Sequence, residues 1–260
     1  MVFIRNVAKY ILLRFGLAKI KVCSDIERLS LLKSLLPISQ NFELIRVGGD
    51  SDGGYLVPNI LHSIDYCFSP GVAQSSEFEF FMAKLGIKSF MIDASVDSPT
   101  ITHELFNFQR LYLGHRTKGE FISLDDWIET SANQMKSGIL QMDIEGAEYP
   151  SLMSVSKNNL LKFAILVIEF HGLNRLYNGD FALIFELTIA KLKENFEIVH
   201  LHPNNAGRTH KIGHLKVPNV VELTLLRKDL CNKISESATL PHFLDRPNRI
   251  DLVDIHFPDL

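Results

Sequence analysis

Cysteine is scarce in this 260-residue chain: Cys23, Cys67 and Cys231 stand far apart, with no CxxC pair among them. That spacing excludes a disulfide-built scaffold and a cysteine-held structural zinc, and the three read as ordinary thiols in a reducing compartment. Charge of one sign is also lacking, since 27 Lys and Arg face 30 Asp and Glu for a net charge of -3. With neither a basic field nor an acidic tail, a nucleic-acid partner is not expected. No apolar run reaches the ~20 residues that span a bilayer. There is no GxGxxG, which sets aside an NAD-dependent oxidoreductase, and no tandem repeat or low-complexity segment.

What is present suits one sizeable core, because 46% of the residues are apolar and only 22% charged. The chain divides into an N-terminal helical segment over 1–40, a catalytic-sized domain over 41–230 and a C-terminal extension over 231–260 packed on it. The opening "MVFIRNVAKYILLRFGLAKIK" carries Arg5, Lys9, Arg14, Lys19 and Lys21 and no acid. Its cations break any signal-peptide apolar region, and no small-residue cleavage site follows. Phe3, Ile4, Val7, Ile11 and Phe15 share one face at helical spacing. Such a helix either docks on the domain, the commoner fate, or lies on an anionic membrane surface. The expected location is cytoplasmic, with peripheral contact at the inner membrane face through residues 1–21 as the second reading.

From residue 63 onward, short apolar runs alternate with segments of helical period. Strands are expected at 63–68, 89–92, 139–142, 164–170, 198–201 and 220–226, and helices at 76–85, 123–129, 147–152 and 182–195. This alternation predicts an α/β fold with a largely parallel sheet covered by helices on both faces. Ligands of such sheets sit beyond the carboxyl ends of the strands, so the residues just after each strand carry the functional information.

Those ends are polar. "DYCF" runs into "SPGVAQSSEFE", where Pro70 and Gly71 make a tight turn and Ser75 or Ser76 can cap the next helix. "SFMI" ends in Asp93, an acid placed to accept hydrogen bonds from ribose hydroxyls, which favours a nucleoside-containing cofactor. "LQMDIEGAEYPSL" brings Asp143, Glu145 and Glu148 to the end of a buried strand, with Gly146 freeing the turn. "AILVIEFHG" ends with Glu169 and His171 on one face, and "EIVHLHPNN" with His200 and His202. His200 or His202 alone is as readily a half-buried structural residue. Together, Asp143, His171 and His202 suit general-base deprotonation of a hydroxyl. A divalent metal, Mg2+ or Mn2+, held by Asp143, Glu169 and His202 is the other route.

"SLDDWIE", then "ILQMDIEGAEYPSLM", then "LVIEFHG" resemble the FkbM-type family of S-adenosylmethionine-dependent methyltransferases over roughly residues 45 to 228. "GGDSDGGYLVP" resembles an Asp-Gly-Gly-Tyr element found ahead of the core in one branch of that family. The resemblance implies the class I methyltransferase fold, a Rossmann-like seven-stranded sheet whose antiparallel strand would be "VVELTLLR". It implies S-adenosyl-L-methionine as cofactor, held by Ser69, Gly71 and Ser75 with Asp93 on the ribose. The family's first loop commonly reads Asp-x-Gly-Ala-x-x-Gly, whereas Ser69, Gly71 and Ser75 occupy those places here, so Asp52, Gly54 and Tyr55 are expected to help hold the methionine end. Asp126, three residues after Ser123, is as readily part of a helix cap as catalytic. The implied activity is O-methylation of a sugar, glycan or secondary metabolite, with lipid-linked polysaccharide as one acceptor class. The alternative is a non-catalytic cofactor- or sugar-binding protein on the same fold. "HPNNAGRTHKIGH" has the composition of a mobile loop at the acceptor groove.

Overall fold

The computed structural model describes residues 22–40, 42–72 and 75–257; the expected amphipathic helix over 1–21 lies outside the described residues. In chain order the helices are α1 (Asp25–Lys33), α2 (Glu77–Lys84), α3 (Leu124–Ala132), α4 (Glu148–Ser154), α5 (Lys157–Leu160) and α6 (Gly179–Asn195). The strands of the main sheet are β4 (Tyr66–Pro70), β5 (Lys88–Ile92), β6 (Phe106–Gln109), β9 (Gly138–Met142), β10 (Phe163–His171), β11 (Phe196–Pro203) and β14 (Val220–Arg227). Short pairs complete the fold: β1 (Ile38–Gln40) with β15 (Lys233–Ser237), β2 (Leu44–Val47) with β3 (Tyr55–Pro58), β7 (Tyr112–Gly114) with β8 (Phe121–Ser123), and β12 (Thr209–Ile212) with β13 (Leu215–Pro218).

Local chemistry starts the helices. Ser24 and Glu27 form a reciprocal capping box on α1. Asn178 Oδ1 accepts from the backbone N–H of Asp180 and Phe181 at the start of α6. Ser123 caps α3 by accepting from the N–H of Asp126, and Asp126 itself accepts from the Thr117 hydroxyl. Asp125 turns outward to bind the Ser156 N–H, the Ser156 hydroxyl and the Asn159 amide at the start of α5. The two aspartates of "SLDDW" are therefore structural. Ser76 departs from expectation: its hydroxyl accepts from the Ile101 N–H rather than capping α2, and so ties down the segment after Asp93.

The seven strands lie in the order β6-β5-β4-β9-β10-β14-β11. Strands β6, β5, β4, β9 and β10 pair in parallel, whereas β14 is antiparallel to both neighbours. The sheet is thus mixed, and the antiparallel strand is the one carrying "VVELTLLR". Alternate side chains build two cores. On one face Phe68, Leu140, Leu166 and Ile168 pack with Trp127 of α3, Leu152 of α4 and Phe185 of α6. On the other, Cys67, Ile139, Ile165 and Val167 pack with Phe78 and Met82 of α2 and with Tyr55 and Val57 of β3. Two features depart from the expected pattern. Phe106–Gln109 forms an edge strand, and the stretch expected to be a mobile loop contains strand β12, which pairs with β13 just beyond it, Thr209 opposite Pro218 and Ile212 opposite Leu215.

Candidate active site

The polar residues belong to one face of the sheet. Along β9, Ile139 faces α2 and β3, and Gln141 and Asp143 follow at two-residue intervals on the same side. By the same alternation Glu169 follows Val167 on β10, with His171 next. On β14, Glu222 and Thr224 alternate with Val221 and Leu223 of the opposite core, and the Thr224 hydroxyl donates to Leu56 O of β3 at 2.6 Å. The β2–β3 hairpin therefore roofs the carboxyl ends of the central strands on the side where the acids gather.

Two clefts meet there, sharing Gly71 and Asp143 in their walls. One, of about 390 Å3, is lined by Asp52, Tyr55, Ser75, Glu79 and Gln141 besides the shared pair. The other, of about 400 Å3, has Asp93, Ser95, Ile92, Leu111, Leu113 and Ile144 in its wall. Gly71 has φ +85°, and a Cβ there would lie 1.6 Å from Asp143 O, so the crossing of the β4 and β9 ends admits only glycine. Asp93 sits at the end of β5, its Oδ1 accepting from the Ser95 N–H at 2.7 Å and the Ser95 hydroxyl at 2.6 Å.

His171 lies among four carboxylates. Its Nε2 is 3.3 Å from Glu145 Oε2, 3.6 Å from Glu169 Oε1 and 3.7 Å from Asp143 Oδ1, while its Nδ1 is 3.4 Å from Glu148 Oε1. Glu148 is fully buried and fixes this corner, accepting from the N–H of His171 and of Gly146, each at 2.7 Å. Glu145 is held at φ +54°, an uncommon conformation for a residue with a side chain, which aims its carboxylate at the imidazole.

Residues 86–204 match the family model of the methyltransferase FkbM domain. Over that stretch the chain is similar to the FkbM methyltransferase domain. None of the curated proteins searched matches the chain. The matched segment of the FkbM domain holds Asp93, Asp143, Glu169, His171 and His202, whereas Asp52, Gly71 and Glu222 lie outside it.

Within the matched segment, burial pushes the Asp143 carboxyl up to about 7, assisted by the charges of Glu145, Asp52 and Glu222 and opposed by His171. Burial alone would lower His171, but Glu148, Asp143 and Glu145 outweigh it and raise the imidazole above its usual value. His171 Nε2 thus stands 3.7 Å from the raised Asp143 carboxyl, within electrostatic reach but beyond hydrogen-bond length. Burial, with the charges of Asp143, Glu222 and Asp52, also holds Glu169 well above the carboxylate range.

Several expected site residues sit elsewhere. Ser69 lines neither cleft: its hydroxyl is buried between Glu79 Oε1 and Gln141 Oε1. One hydroxyl hydrogen cannot serve two acceptors, and a protonated Glu79 supplies the second, in keeping with a carboxyl pushed up to about 7 by burial. Gly54 lines neither cleft either; a Cβ there would lie 1.9 Å from Gly49 O, so this glycine closes the β2–β3 turn. Asp52 and Tyr55, in contrast, share a cleft with Gly71 and Ser75.

The set Asp143, Glu169 and His202 does not converge. Strand β14 separates β10 from β11, and His202 Nδ1 pairs with Glu222 Oε2 at 3.2 Å instead. His200 pairs with Asp245 of the C-terminal extension at 3.0 Å. Among the described residues, the groups whose ligand atoms do converge are Asp143–Glu145–His171 and Asp52–Glu169–Glu222. Sequence reasoning missed Glu222, although a single acid inside the apolar "VVELTLLR" was a signal that it faces something polar.

Proposed function

We propose that this protein transfers a methyl group from S-adenosylmethionine to a hydroxyl of a sugar, glycan or secondary metabolite. The class I methyltransferase reading is supported by a sheet in which the antiparallel strand is inserted next to the edge. The residues present fit the cofactor. Asp93 offers a carboxylate to the ribose diol, and Ile92, Leu111, Leu113 and Ile144 offer apolar walls to the adenine. Gly71 leaves the backbone open where the two clefts meet, and the Asp52 carboxylate of the neighbouring cleft suits the ammonium of the methionine end. When bound, S-adenosylmethionine supplies an electrophilic methyl group.

The Asp143–His171 pair carries the functional reading. A sugar hydroxyl is a weak nucleophile near neutral pH and gains from a positioned base. Asp143 lines both clefts, and a carboxyl whose basicity lies near neutrality takes up a proton from a hydroxyl oriented against it. Glu148 keeps the imidazole in place, and burial of Asp143 keeps its basicity near the operating pH. The excess of carboxylates around the pair favours a neutral or cationic acceptor over a phosphorylated one.

The test is transfer of labelled methyl to a panel of neutral glycans. Wild type should label at least one acceptor, and Asp143→Asn and His171→Gln should each lower kcat by ~10²-fold or more. Full activity in both variants removes the pair from the chemistry.

A further inference from the structure

We propose that Asp52, Glu169 and Glu222 form a binding site for one hard divalent cation of the Mg2+, Mn2+ or Ca2+ class. The three carboxylates come from separate segments: the β2–β3 turn, the end of β10 and the start of β14. Glu169 and Glu222 are direct cross-strand partners, so their like charges face each other in the sheet. One oxygen from each of the three lies within 4.8 Å of the others.

Glu169, only 4% exposed, supplies the second observation. Its Oε1 accepts from Asn204 Nδ2 at 2.8 Å, while its buried Oε2 has no hydrogen-bond partner among the described residues. A buried carboxylate oxygen without a donor, meeting two further carboxylates, calls for a proton or a cation. Asn248 adds a third observation. Its Nδ2 donates to Asp52 Oδ1 at 3.1 Å and to Glu222 Oε1 at 2.5 Å, and its own buried Oδ1 is unpartnered beside them.

The surrounding positive charge is modest. His202 Nδ1 pairs with Glu222 Oε2, and Arg46, whose charge acts on Glu222, donates from Nε to Gly49 O and from Nη2 to Ser51 O. An all-oxygen donor set with no sulfur selects a hard cation over zinc or copper. Here His202 orients a ligand carboxylate instead of binding the ion itself, which is how outer-shell imidazoles and carboxylates act around metals. The bound ion would tie the hairpin roof to the sheet and place a Lewis acid within electrostatic reach of Asp143.

The experiment is titration of the chelator-stripped full chain with Mn2+, reading free Mn2+ by electron paramagnetic resonance. No methyl donor is present, so the result stands apart from the transferase reading. One ion per chain is expected, with affinity rising with pH because the ligands must lose protons. Glu169→Gln, Glu222→Gln and Asp52→Asn should each weaken binding by about tenfold or more, and Glu145→Gln should leave it unchanged. Asp52 is exposed, so its variant tests the site even if a buried substitution disturbs folding. No binding by wild type at millimolar Mn2+ overturns the proposal. So does binding lost in Glu145→Gln but kept in Asp52→Asn, which would place the ion on the Asp143–Glu145–His171 group.

Discussion

At the scale of single residues, this site depends on where charge is buried. Asp143 sits between two clefts with its acidity weakened to about 7, and His171 is raised beside it. Both are needed in the less protonated state to accept a hydroxyl proton, so kcat/KM should fall as pH drops through about 7. A profile flat from pH 8 to pH 5.5 would contradict a base with these surroundings. Glu79 gives a separate prediction about stability. Its carboxyl is raised by burial, so the folded chain holds the proton more tightly than the unfolded one. That stabilising preference is complete below the unfolded value near 4.3 and is lost as pH rises through about 7. Glu79→Gln keeps a donor for Ser69 and removes the titration. Urea unfolding at pH 5 and pH 8 should show the variant losing up to about 3 kcal/mol less than wild type over that interval. Equal losses in the two proteins would mean that Glu79 is not held protonated.

At the scale of elements, what the sequence shows depends on how local the determinant is. The alternation of apolar runs with helical segments locates β4, β5, β9, β10, β11 and β14 to within a few residues, because buried strands are nearly uninterrupted in hydrophobicity. β6 lies outside the expected strands although "FNFQ" alternates apolar and polar in the manner of a half-exposed edge. The β12–β13 hairpin hides in a polar stretch rich in Gly and His, where pairing of the two strands decides the outcome. The "SLDDW" motif yields its meaning only in three dimensions, since Asp125 binds a helix start 31 residues away. Asp125→Ala should therefore cost about 1–2 kcal/mol of stability and leave methyl transfer intact. A variant of unchanged stability but lost activity would return the motif to the chemistry. The basic segment over 1–21 has its own test: its deletion should abolish sedimentation with anionic liposomes if it anchors the chain, and should destabilise the domain if it docks there.

For the whole molecule, the strand ends named by the sequence do meet, but their neighbours were set by topology. Asp93, Gly71 and Asp143 come together because β4, β5 and β9 pair in parallel, which the β/α alternation foretells. The strand-end pattern groups His202 with Asp143, but strand order is not written in it. Insertion of β14 between β10 and β11 gives His202 to Glu222, and gives Glu169 a carboxylate as its cross-strand neighbour. Long-range antiparallel insertion leaves no local mark except the lone acid in β14. The C-terminal extension contributes as well, with Asn248 reaching Glu222 and Asp245 reaching His200. No helix of the described residues is long and apolar enough to cross a membrane. The central claim is that the paired clefts around Gly71 hold S-adenosylmethionine with its ribose on Asp93, and calorimetric titration tests it directly. Wild type should bind one equivalent, with affinity reduced at least tenfold in Asp93→Ala and lost in Gly71→Val; no heat of binding in wild type, or equal affinity in all three, would contradict it.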